Sequence, residues 1–299
     1  MYSIRNLSIV LSFVGLWLTS LVSKDLEIIL GFLLIFSFGI CHGSNDILLI
    51  NRLADSNTYS FSLKVLVIYI CIVLTALLVF YFLPSIALIL FIIFSGFHFG
   101  EQHWEGISLT ANKIFNNAYY IIYGTLVLFT LLIYNSEETK EVVYAITSHE
   151  VSNSLLYSVF WILLTCYLLS CFWIILSNNS MKSVFLTETF YLVIFAVIFK
   201  VTTLIWGFAI YFIFWHSIPS LFEQVKFLYG KFNYQNFLKY LKNAILYWII
   251  ALIGLAILYY FFKNQTIFYG ILFSFIAAVT FPHTIVMNSM FKNKKSTTL

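Results

Sequence analysis

Charged side chains are rare in this chain of 299 residues. Asp, Glu, Lys and Arg account for 9% of the sequence, whereas an ordinary soluble domain carries about 25%. Proline and cysteine are also scarce, with three and four copies. The cysteines lie within or at the end of apolar runs and show no paired spacing, so no disulfide framework is indicated. These shortages exclude a soluble globular domain and a small domain held together by disulfides.

Apolar residues take the place of the missing charges. Hydrophobic residues make up 62% of the sequence and aromatic residues 20%. They come in runs of about 16 to 22, enough to cross roughly 30 Å of hydrocarbon. The runs do not alternate as barrel strands would, so the sequence predicts an all-α, polytopic transmembrane helical bundle, with residues 1–299 forming a single integral membrane domain. About ten spans are expected: Leu7–Leu21, Leu26–Asp46, Val65–Leu83, Ile86–Trp104, Ala118–Ile133, Leu155–Leu176, Val184–Ile198, Leu204–Leu221, Ala244–Phe262 and Ile267–Met287.

The basic residues predict how the bundle is oriented. If both termini are cytoplasmic, only four of the sixteen Lys and Arg residues fall outside, namely Lys24, Lys140, Lys200 and Lys263. This bias follows the positive-inside rule and predicts a multi-pass protein of the inner cell membrane with both termini in the cytoplasm. The net charge of +4 is spread over short loops, so the expected partner is the lipid bilayer and no nucleic acid is expected.

Four of the six histidines share one location in this topology. Each lies in the last turns of a predicted helix that runs from outside to inside, so we expect them at one depth: His42, His98, His216 and His283. Four imidazoles in hydrocarbon can be satisfied by a shared metal ion, and neutral imidazole suits iron, copper, nickel or zinc. The sequence therefore predicts a buried metal centre. The alternative for any one of them is a hydrogen bond between helices.

Carboxylates follow three of these histidines at helical spacing. Each shares a helix face with the histidine before it: Asp46 after His42, Glu101 after His98, and Glu223 after His216. A carboxylate in such a place can accept the second N–H of an imidazole and fix the tautomer that binds a metal. We therefore expect these three carboxylates in the second shell of the metal centre.

Glycines flank two of the histidines. Gly39 and Gly43 are spaced four apart, as are Gly96 and Gly100, and this small-xxx-small spacing lets helices approach closely. We expect each pair to let a neighbouring helix bring its own histidine near.

The remaining two histidines are expected outside the centre. His103 lies five residues after His98, about 140° around an α-helix, so the two cannot face one point. Beside Trp104, His103 is expected at the cytoplasmic rim. His149 falls in an acidic outer loop and is expected to be solvated.

Four short segments together resemble the Brp/Blh family of β-carotene 15,15′-dioxygenases: Cys41-His-Gly-Ser-Asn-Asp46, Phe97-His-Phe-Gly-Glu101, Trp215-His-Ser217 and Pro282-His283. The resemblance spans about Gly39 to Met287. It implies a membrane enzyme that uses Fe²⁺ and O₂ to cleave β-carotene, or a related carotenoid, at its central double bond. The products would be two molecules of all-trans-retinal, handed over to a microbial rhodopsin as chromophore. The resemblance also implies iron ligands at His42, His98 and His216, with Asp46 and Glu101 in the motifs around them.

One position departs from the family pattern. The family has a histidine four residues after the one that matches His216, and this chain has Ser220 there. Three alternatives are open: His283 completes the iron shell, the iron keeps an open or water-filled position, or activity is reduced.

Two other function classes compete with a carotenoid-cleaving dioxygenase. A transporter or permease could pass protons or metal ions through intramembrane histidines, but it would favour polar groups at several depths and inverted repeats with broken helices. Here the polar groups fall in one layer. A di-iron desaturase or hydroxylase would need several HxxxH or HxxHH boxes, and the sequence contains none.

Overall fold

The computed structural model describes residues 2–55, 58–107, 109–262 and 268–297. Helices are the regular elements throughout these ranges, which contain no strand, so the predicted all-α fold is confirmed. Within the same ranges nine helices are long and apolar enough to cross a membrane, and a shorter apolar helix covers Ile4–Thr19. The polytopic class is therefore confirmed, while the orientation of the termini stays a prediction.

The helices follow the predicted spans closely, and the seventh span, Val184–Ile198, lies within the helix Met181–Val201. They are α1 (Tyr2–Thr19), α2 (Lys24–Leu34), α3 (Ile40–Gly43), α4 (Asp46–Leu53), α5 (Tyr59–Phe82), α6 (Pro84–His103), α7 (Lys113–Tyr134), α8 (Ser136–Thr147), α9 (Asn153–Ser177), α10 (Met181–Val201), α11 (Leu204–Ile210), α12 (Ile218–Tyr229), α13 (Tyr234–Phe262) and α14 (Phe268–Thr297). Two π-helical segments interrupt this series, Ile35–Gly39 before α3 and Tyr211–Ser217 before α12. Ile267, where the tenth predicted span begins, and Lys263 lie outside the described residues.

Local sequence explains where several helices begin. The side chains of Thr58, Asn112 and Ser152 accept hydrogen bonds from main-chain N–H groups in the first turns of α5, α7 and α9. Such caps satisfy donors that have no partner within the helix. Pro84 begins α6 one residue after α5 has ended at the Leu83 cap, because a residue without an N–H loses nothing at a first helical position.

The helices group into two compact units whose segments alternate along the chain. The first unit comprises Met1–Phe32, Ile92–Tyr144 and His149–Trp215, and the second comprises Leu33–Phe91, Ala145–Ser148 and His216–Leu299. Boundaries between the units fall inside α2, α6 and α8, inside the second π-helical segment, and after Ser148. That the whole chain is one integral membrane domain stays a prediction.

Glycines bring α6 and α7 into main-chain contact within the first unit. A methyl group on Gly124 would collide with the carbonyl oxygen of Gly96, and one on Gly100 would collide with the carbonyl group of Tyr120. The predicted close approach at Gly96 and Gly100 is therefore present. The neighbour is α7, however, which carries no histidine.

A charged network lies buried in the same unit. Arg5 forms an ion pair with Glu188 and also donates to the main-chain carbonyl of His103 at 2.7 Å. The His103 Nε2 atom lies 2.5 Å from Glu188 and 2.9 Å from the Tyr123 hydroxyl. His103 and Trp104 are thus buried in the protein, with exposed fractions of 8% and 0%, and their position at the cytoplasmic rim stays a prediction. Glu188 and Arg5, both distant in sequence from His103, supply the charges and hydrogen bonds that allow His103 to be buried.

We predict that Gly124→Ala destabilises the protein by about 1 to 3 kcal/mol, the usual cost of overpacking a close-packed interior. The free energy of unfolding, measured in mixed micelles, checks this. Gly254→Ala is the matched control, because its methyl group would meet only the Phe275 ring at 3.9 Å. Equal loss in both variants would contradict the α6–α7 contact.

We also predict that Glu188→Gln lowers the free energy of unfolding by about 3 kcal/mol, because it leaves Arg5 and His103 without their buried counter-charge. The same unfolding measurement applies. Glu141→Gln, at an exposed position, should leave stability unchanged. An unchanged free energy of unfolding in Glu188→Gln would show that the charged network does not contribute to stability.

Candidate metal centre

The main chain around His42 departs from regular helix on both sides. The π-helical segment Ile35–Gly39 precedes it, and the chain turns at Ser44 and Asn45 before α4 begins. The Nδ1 atom of His42 lies 2.5 Å from the carbonyl oxygen of Gly39. Such π-helical turns are frequent at functional sites, because an inserted residue re-aims the side chains that follow.

The other two histidines of the second unit sit at comparable irregularities. His216 lies inside the second π-helical segment, Tyr211–Ser217. His283 follows Pro282, which lies within α14 and contributes no N–H to the helix ladder.

These three imidazoles are close together within the second unit. The ring centroid of His42 lies 5.3 Å from that of His216 and 4.9 Å from that of His283. Each offers a ring nitrogen within 4.8 Å of those of the other two. Their exposed fractions are only 2% to 5%, so the group is buried as predicted.

The Asp46 carboxylate supports one of the three. Its oxygens lie 2.8 and 3.0 Å from Nδ1 of His283, and the Tyr69 hydroxyl donates to the same carboxylate at 2.9 Å. The sequence analysis expected Asp46 to serve His42, which instead pairs with its own main chain. A proton held on Nδ1 in each case leaves Nε2 as the ring nitrogen that carries a lone pair toward a metal.

His98 and Glu101 belong to the first unit. Both are buried on α6, with exposed fractions of 1% and 5%. The role of His98 as a metal ligand stays a prediction.

The structure places the remaining predicted residues elsewhere. Glu223 pairs with Lys294 at 2.6 Å and with Lys226 at 3.4 Å, so its charge is met by lysines. His149 is exposed, as expected.

Several polar residues near the histidines escaped prediction. Tyr69 contacts Asp46, and Gln224 and Tyr240 both donate to the main-chain carbonyl of His42. The sequence carries no signal for these contacts, because Gln224 and Tyr240 lie 182 and 198 residues from His42. Ser220, where the family pattern has a histidine, is fully buried beside Gln224.

The donor set fits a first-row transition metal. Neutral imidazole nitrogens suit iron, copper, nickel or zinc, whereas calcium and magnesium prefer oxygen ligands. Carboxylate and carbonyl groups behind the rings are the usual second shell of metal-binding histidines.

Comparison with known proteins identifies the family. No curated protein and no solved structure matches the chain. The family model described as beta-carotene 15,15′-dioxygenase matches residues 33–291. This match contains His42, His98, His216 and His283, and it leaves out the first helix, most of the second and the end of α14. The chain thus belongs to the beta-carotene 15,15′-dioxygenase family.

Proposed function

We propose that this protein is an iron(II)-dependent oxygenase that cleaves β-carotene with O₂ at the 15,15′ double bond and gives two molecules of all-trans-retinal. The observation that carries the proposal is the set of three buried imidazoles, His42, His216 and His283, whose ring nitrogens lie within 4.8 Å of one another in a chain of this family. A family of dioxygenases needs a centre that can activate oxygen, and imidazole is a usual ligand for iron.

The proposed iron ligands are His42, His98, His216 and His283. In this proposal His283 takes the place of the histidine that the family pattern has at Ser220. Support comes from Asp46, whose carboxylate orients the His283 ring as the second shells of metal sites do. Glu101, buried on the helix of His98, is proposed as a second-shell residue of that ligand. Glu223 is left out because lysines meet its charge.

The chain's own residues prepare the ligands. When bound, iron would supply the redox chemistry that lets O₂ react with an alkene. The Gly39 carbonyl and the Asp46 carboxylate hold protons on Nδ1 of His42 and His283, so both rings present Nε2. Burial excludes bulk water, which protects a reactive centre from side reactions.

The reaction needs no acid or base from the protein. The central carbon–carbon double bond breaks, and each of its two carbons takes one oxygen atom of O₂, so two aldehydes form without an added reductant or proton. This balance fits a site built of imidazoles. We further propose that the protein resides in the inner cell membrane, takes its carotenoid from the bilayer and hands retinal to a rhodopsin.

We predict that His42→Ala, His98→Ala, His216→Ala and His283→Ala each lower iron affinity and retinal yield by at least about 100-fold, since an outer-shell partner alone is worth about 10- to 100-fold. Iron content of the purified proteins and retinal formed in a β-carotene-producing host check this. His149→Ala, at an exposed position, is the control.

Two outcomes would contradict the proposal. If all four variants kept iron and cleaved carotene normally, the site would be wrong. If the wild type moved protons or metal ions across vesicle membranes and formed no retinal, the transporter would be the better description.

We predict that Asp46→Asn weakens iron binding by about 10- to 100-fold, because the amide cannot supply the negative charge that holds the proton on His283. Asp55→Asn is the control: Asp55 is exposed with a φ of 49°, a conformation that asparagine adopts readily. If Asp46→Asn binds iron with the affinity of the wild type, Asp46 does not support the metal centre.

A further inference from the structure

The main-chain carbonyl of His42 receives two side-chain hydrogen bonds from other helices. His42 lies in α3, within the turn that the Ser44 N–H closes on the Cys41 carbonyl at 3.2 Å. Gln224 of α12 donates to the His42 carbonyl at 2.9 Å, and the Tyr240 hydroxyl of α13 lies 3.0 Å from it. A carbonyl oxygen has two lone pairs, so it can accept from both.

The Gln224 amide is held in one orientation. Its Nε2 atom lies 3.1 Å from the Ser220 hydroxyl, and its Oε1 atom lies 2.8 Å from the Tyr240 hydroxyl. The amide nitrogen has two protons, one for the His42 carbonyl and one for Ser220, while the single Tyr240 proton is shared between two acceptors. A flipped amide would set one carbonyl oxygen against another, so the network fixes the orientation.

Burial makes these bonds hard to replace. Gln224, Tyr240 and Ser220 are each 0% exposed. Asn45, in the turn after His42, donates to the Tyr240 carbonyl at 3.0 Å and so ties the turn to α13. Without water, a polar atom that loses its partner here stays unsatisfied.

The network also links two members of the histidine group. His216 lies two residues before the start of α12, and Gln224 within α12 donates to the main chain of His42. The His42 ring is anchored separately through the Gly39 carbonyl. The position of His42 relative to His216 is therefore set by α12 as a rigid element.

We propose that Gln224 and Tyr240 are positioning residues for His42 as a metal ligand, and that the Ser220 hydroxyl orients Gln224 for this task. The inference rests on the metal centre of the proposed function and extends it to three residues outside the proposed set of ligands. Their role is to keep the His42 main chain in place at the interruption between α3 and α4.

The test uses the full-length protein in detergent, titrated with cobalt(II), whose visible absorption reports the ligand geometry. Tyr240→Phe, which removes one oxygen atom, and Gln224→Glu, which removes the amide donor, should each raise the cobalt dissociation constant about tenfold and shift the absorption band. Tyr229→Phe is the control, because the Tyr229 hydroxyl bonds only to the exposed Asn243 among the contacts described. The unfolding temperature of the metal-free proteins separates positioning from loss of fold.

Wild-type affinity and an unshifted band in folded Tyr240→Phe and Gln224→Glu would overturn the inference. If Gln224→Glu does not fold, Tyr240→Phe decides alone, with Ser220→Ala expected to raise the dissociation constant about threefold. His42→Ala and His216→Ala test the proposed function independently. If His42→Ala and His216→Ala bind cobalt as the wild type does, the proposed metal centre is wrong. If these two lose cobalt binding while Tyr240→Phe and Gln224→Glu keep it, only the positioning role is wrong.

Discussion

A buried imidazole requires an acceptor for its ring proton, and the second unit supplies one at Nδ1 of two of its histidines. For His283 the acceptor is the Asp46 carboxylate, and for His42 it is the Gly39 carbonyl. A ring that lacked such an acceptor would lose hydrogen bonds and could take either tautomer. The requirement reaches further than the rings, since Tyr69 of α5 holds Asp46 of α4, which holds His283 of α14. Three helices are thereby joined through one carboxylate.

The helices and the histidine group could be predicted from the sequence because both depend on local features. Apolar runs of membrane-spanning length predict each span. Even Val184–Ile198, one of the two shortest predicted spans, lies within a helix of 21 residues. The predicted spans placed His42, His216 and His283 in their last turns, although α14 continues 14 residues beyond His283. The two π-helical segments could not be predicted, since one inserted residue changes neither hydropathy nor length appreciably.

Partners of polar side chains were harder to predict, because they come from distant parts of the chain. Helical spacing assigned Asp46 to His42 and Glu223 to His216, whereas the carboxylates contact His283 and Lys294. Spacing identifies a shared face and says nothing of what packs against it. His103 and Trp104 show the same limit. In the sequence, the polar residues around them resemble the end of a helix that leaves the membrane. In the structure, Arg5 and Glu188 supply buried counter-charges from distant parts of the chain.

The glycine contact between α6 and α7 also restricts how a molecule could travel through the protein. At Gly96 and Gly124 the two main chains touch, with no side chains between them. The main-chain contact leaves no passage between α6 and α7 at that level. The apolar substrate of the proposed reaction would therefore have to pass elsewhere than between α6 and α7 at this level, and mutations that widen its path should be sought outside this contact.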